Sequence, residues 1–133
     1  MKIVRIAVVF ALGLLGGCNP TPNPAMTGMW LFTLTPTNSF STILATANLT
    51  QQGSAVSGPV SLAGNDGTCS ATATLSGAVS GQTLTLLITQ SQSTIVNLNG
   101  AANTGFTSAS GNYTTTSGCL QSAEIGTWTA VLQ

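Results

Sequence analysis

Leu49-Thr50-Gln51-Gln52-Gly53-Ser54-Ala55-Val56-Ser57-Gly58 decides the fold class. It joins two runs in which every second residue is apolar or small. Ile43, Ala45, Ala47 and Leu49 lead into it, and Val56, Gly58, Val60 and Leu62 lead out. A period of two puts alternate side chains on opposite faces of a strand. Gln52-Gly53-Ser54 supplies the turn between the two runs. Similar units run from Leu75 to Gly81 and from Leu98 to Gly105, and Val56-Ser57-Gly58 and Val79-Ser80-Gly81 are the closest copies. The repeat, about two dozen residues, is one hairpin long, and successive hairpins make a meander.

The same alternation extends in both directions. Trp30, Phe32 and Leu34 share a face upstream. A loop at Gly64-Asn65-Asp66-Gly67 precedes Cys69, Ala71, Ala73 and Leu75. Leu84, Leu86 and Ile88 follow, then Val96 and Leu98. A seventh strand is expected with Phe106 near its start and Tyr113 near its end, interrupted by Gly111, and the last carries Trp128, Ala130 and Leu132. No window has helical spacing, and threonine suits a pleated surface better than a helix. The expectation is an all-β antiparallel meander of about eight strands, forming a small closed or partly open β-barrel, with a β-sandwich as the alternative. Gly28-Met29-Trp30 and Gly126-Thr127-Trp128 resemble each other, which suits first and last strands meeting at a closing seam.

The first seventeen residues have a different character. Lys2 and Arg5 precede an apolar run from Ile3 to Leu15, and Gly16-Gly17 stand before Cys18. These are the parts of an export signal. The run is shorter than the roughly 20 residues of a membrane-spanning helix. Leu15-Gly16-Gly17-Cys18 resembles the lipobox of bacterial lipoproteins. That resemblance implies cleavage before Cys18, a diacylated Cys18 thiol and an acylated new amino group. Each buried CH₂ of such an anchor is worth about 0.8 kcal/mol. Asn19, where the family uses Asp for inner-membrane retention, implies the outer membrane of a two-membrane cell. The expected organisation is a signal peptide over 1–17, a lipidated cysteine and tether over 18–27, and a β-barrel domain over 28–133. Pro20, Pro22 and Pro24 make the tether an extended spacer of about 3.1 Å per residue.

Composition excludes several classes of function. Lys2 and Arg5 are the only basic residues and leave with the leader, and there is no histidine. A mature chain without cations has nothing to neutralise phosphates, which excludes nucleic acid as a partner. Without histidine, the common metal ligand and general base is missing, and the serines have nothing to activate them. The residues therefore point to a non-enzymatic protein with no cofactor. The apolar fraction is 43%, enough for one folded core.

Cys69 and Cys119 remain once Cys18 is acylated. A pair in an exported protein reads as a disulfide. Closing a loop of about fifty residues is worth roughly 4 kcal/mol in the chain-entropy model. The two acids, Asp66 and Glu124, lie close in sequence to these cysteines, and are expected as solvated loop residues rather than as a calcium site or a carboxylate pair.

Gly28-Met29-Trp30 is similar to the Gly-x-Trp that opens lipocalins, although the arginine those proteins pair with it is missing here. The length and meander are similar to avidin-type barrels. The whole chain resembles small Thr- and Gly-rich bacterial lipoproteins with a terminal Gly-Thr-Trp-Thr strand. If a pocket exists, Trp30, Phe32, Phe106, Tyr113 and Trp128 should line it, with Gln82, Asn97 and Asn112 for polar contacts. The competing reading, and the preferred one, makes these aromatics core plugs. The expected function is that of a cell-envelope lipoprotein with a structural or protein-interaction role. The alternative is a binder of small apolar ligands. Asn48-Leu49-Thr50 and Asn112-Tyr113-Thr114 match the glycosylation pattern by chance.

Overall fold

A computed structural model describes residues 26–37, 42–64, 70–116 and 124–133. Eight strands account for most of them: β1 (Gly28–Pro36), β2 (Ile43–Gln52), β3 (Ala55–Gly64), β4 (Ser70–Ser80), β5 (Thr83–Gln90), β6 (Ser93–Ala102), β7 (Ser108–Thr115) and β8 (Ile125–Leu132). Each pairs antiparallel with its neighbours in sequence, and β8 returns to β1 to close the barrel. The sandwich is thereby set aside. At the seam Trp30 stands opposite Leu132, Leu34 opposite Trp128 and Pro36 opposite Gly126. The first and last strands do meet at the seam, and their two Gly-x-Trp segments lie at opposite ends of it, as antiparallel pairing requires.

Alternation becomes inside and outside. Trp30, Phe32, Leu34, Ala45, Ala47, Leu75, Leu84, Leu86, Ile88, Val96 and Leu98 point inward and are fully buried (0%). The outward positions between them are mostly Thr, Ser and Asn. Lipid-spanning barrels have the reverse arrangement, with an apolar outer band. One bulge interrupts the ladder. Ile88 pairs with Val96 and Thr89 with Thr94, so Ile95 is the extra residue. Both Ile95 and Val96 are buried as a result.

The ends of the barrel differ. The near end carries Met26, where the described chain enters, and the β2–β3, β4–β5 and β6–β7 connections. The first two are two-residue turns that open with Gly53 and Gly81, each at φ 60. That is the conformation a II′ hairpin asks of glycine. The far end carries the β1–β2, β3–β4, β5–β6 and β7–β8 connections. Its β5–β6 turn is Ser91-Gln92, with φ 49 and 66. Two successive positive φ values define a I′ turn, which normally takes Asn-Gly. Nothing in Ser91-Gln92 signals a turn, so alternation places the two strands but the turn itself is not legible from sequence.

Closing so small a barrel needs sharp corners. Inward-facing Gly58, Gly77, Gly100, Gly111 and Gly126 supply them. A Cβ on Gly111 would lie 1.9 Å from the Asn99 carbonyl oxygen, and one on Gly100 would lie 2.0 Å from that of Ser110. Gly100 and Gly111 face each other across β6–β7, so neither backbone can yield without moving the other. Gly111→Ala is expected to lower the unfolding free energy by about 3 kcal/mol, the upper range for overpacking. Gln92→Gly is expected to raise it by about 1 kcal/mol by relieving the left-handed backbone. Urea denaturation of both variants checks the pair of opposite signs.

Candidate functional site

The inner face holds four of the five aromatic residues expected to line a pocket. Trp30, Phe32, Tyr113 and Trp128 are at most 1% exposed. They are brought together by register: Leu34 lies opposite Trp128, and Phe32 is two residues along β1. The Phe32 and Trp128 rings are 5.6 Å apart, tilted by 39°. A pair at that separation adds about 0.5–1.5 kcal/mol beyond burial. Trp128 lies over the paired glycines, since a Cβ on Gly100 would come 2.7 Å from its ring. Its indole N–H donates to the carbonyls of Asn112 (3.1 Å) and Asn99 (3.3 Å), which flank those glycines. The ring thus fills the space the missing side chains leave.

Trp30 belongs to the near end. Its indole N–H donates to the Met26 carbonyl at 3.2 Å. Met26 is itself fully buried, and its N–H donates to the Gln51 side chain at 2.9 Å. The segment before β1 therefore tucks into the barrel mouth. Phe106 departs from expectation. It lies in the β6–β7 connection, not on β7, with φ 51. Asn103 holds this loop: its side-chain oxygen accepts from the N–H groups of Thr107 and Ser108. Phe106 packs on the core from the near end, partly exposed.

The expected polar contacts are not inside. Asn97 and Asn112 occupy outward positions on β6 and β7. Gln82 sits in the β4–β5 turn and donates to the Ala102 carbonyl. An interior ligand would meet none of them. Asp66, Cys18, Cys69 and Cys119 lie outside the described residues.

Glu124 is the main correction. Expected as a solvated loop acid, it is 2% exposed. The reason is register: residues 124, 126, 128 and 130 all fall on the inward phase of β8. The Tyr113 hydroxyl donates to its carboxylate. The Glu124 N–H donates to the Thr115 hydroxyl at 3.0 Å, and its carbonyl accepts from the Thr115 N–H at 2.9 Å. Every buried side-chain polar atom among the described residues has a partner. Tyr113, Thr115 and Glu124 thus clamp the start of β8 to the end of β7. Counting back in twos from Trp128 reaches Glu124, whereas its charge and its closeness to Cys119 read as loop.

Burial, then the hydrogen bond to Glu124 and its negative charge, push the Tyr113 phenol well above the usual range. No group of three potential metal-binding side chains occurs among the described residues. No protein-family model matches the chain, and no curated protein matches it in sequence.

Tyr113 is the only tyrosine in the chain. Its folded-state proton is held more tightly than in the unfolded chain, where it leaves near pH 10. Its contribution to stability is therefore complete below about pH 10 and falls as pH rises beyond it. Tyr113→Phe is expected to remove that alkaline loss. At neutral pH it should cost about 1–3 kcal/mol, because the buried carboxylate loses its donor. Urea melts from pH 7 to 11 on both proteins check the two signs.

Proposed function

We propose that this chain is an exported bacterial lipoprotein, anchored in the outer membrane through acylated Cys18. Its barrel serves a non-enzymatic structural or protein-interaction role. The observation that carries the reading is the occupation of the barrel by its own side chains. No water-sized space touches Trp30, Phe32 or the fully buried leucines around them. A barrel that binds an apolar ligand keeps an enclosed cavity for it. A filled barrel leaves its outer face and its ends as the working surfaces.

The remaining features support the same reading. The outer face is rich in hydroxyls and amides, which keeps an almost uncharged domain wetted. The tether joins at Met26, which is fastened to the near end through Trp30 and Gln51. Cys69, between β3 and β4, and Cys119, between β7 and β8, complete the proposal as a disulfide pair.

The test is native mass spectrometry of the full chain made in a two-membrane bacterium and extracted in detergent. The expected mass is that of a chain starting at Cys18 with covalent acyl groups and a Cys69–Cys119 disulfide. A mature chain without lipid would contradict the anchor. Additional mass that is lost on denaturation would contradict the filled barrel and support a ligand.

A further inference from the structure

The outer face is not uniformly polar. Met29 on β1 is 47% exposed and Val131 on β8 is 50% exposed. Both point outward at the near end of the seam. Leu31, also outward and partly exposed, stands directly opposite Val131. The Gln133 N–H donates to the Met29 carbonyl, which keeps the chain end alongside. Three apolar side chains thus form one patch across β1 and β8. Its neighbours are neutral: Asn48 lies opposite Met29, Thr46 opposite Leu31, and Ser108 opposite Val131.

Position gives the patch its meaning. Met29 is three residues from Met26, where the tether is fastened. From Cys18 to Met26 the tether is eight residues, about 25 Å if fully extended. The near end has no charged side chain in its connections. Glu124, the acid among the described residues, precedes β8 at the opposite end. The end beside the anchor is therefore the end that loses least on leaving water.

We propose that the barrel rests on the phospholipid surface through Met29, Leu31 and Val131, with its seam toward the bilayer and the Glu124 end away from it. This rests on the lipoprotein reading above. Apolar side chains of this kind enter the headgroup–acyl boundary. A small patch suffices because the tether makes the contact intramolecular, at an effective concentration in the millimolar range. With no lysine or arginine in the mature chain, the contact is apolar and insensitive to lipid charge. The far end is left facing away from the bilayer, open to a partner.

The test places a photo-crosslinking benzoylphenylalanine at position 131, and separately at position 125, in the full chain. Ile125 is equally exposed (54%) but lies at the far end. The lipidated proteins are irradiated in phosphatidylcholine vesicles and digested. Lipid adducts at 131 and none at 125 are expected, unchanged when phosphatidylglycerol is added. Adducts at neither position, or equally at both, would overturn the proposal. So would protein adducts at 131 without lipid. A chain whose intact mass has no acyl groups would instead mark failure of the anchor, which separates the two claims.

Discussion

Closure of β8 against β1 is the constraint on which the rest of the structure depends. Once that seam forms, every strand has two neighbours and no edge is left to pair with another molecule. Closure also divides the chain's period-two pattern into a dry inside and a wet outside. It brings Phe32 against Trp128 and encloses Glu124. Among the described residues Glu124 is the one acidic side chain and there is no Lys, Arg or His, so no side-chain ion pair stabilises the barrel there. Its cohesion comes from apolar burial and from the ladder hydrogen bonds.

Closure has a steric cost that glycine meets. At Gly58, Gly77, Gly100, Gly111 and Gly126 the neighbouring backbone comes so close that no side chain fits. Gly100 and Gly111 face each other on β6 and β7, where Trp128 covers the gap and hydrogen-bonds the adjacent carbonyls, and at Gly126 on β8 the Tyr113 ring stands close instead. One aromatic side chain thus completes the corner and joins the pair at the seam. The same packing makes these aromatics part of the core that holds the barrel together. Clamping by Tyr113, Thr115 and Glu124 does for the far end what Met26 and Trp30 do for the near end.

The meander was readable because alternation and turn chemistry agree along most of the chain. Leu49 to Gly58 contains both signals, and the observed hairpin falls there. Detail is lost where one signal is missing. Ser91-Gln92 makes a turn without Gly or Asn. Phe106 looked like a strand residue because a single aromatic has no phase of its own. Glu124 reads as a loop acid by its charge and its closeness to Cys119, and its register puts it inside. Asn97 and Asn112 were chosen by chemistry, and the faces they occupy put them outside. Side-chain contact across strands, such as Tyr113 to Glu124, depends on register between elements, which one-dimensional pattern does not contain.

Native-state hydrogen exchange across the β1–β8 seam tests the central claim most directly. If closure holds the structure together, the amides that β1 and β8 exchange will open only with global unfolding, at the same free energy as those between β3 and β4. Seam amides that exchange far faster than the β3–β4 amides, with the rest of the sheet intact, would show an open sheet and contradict the account.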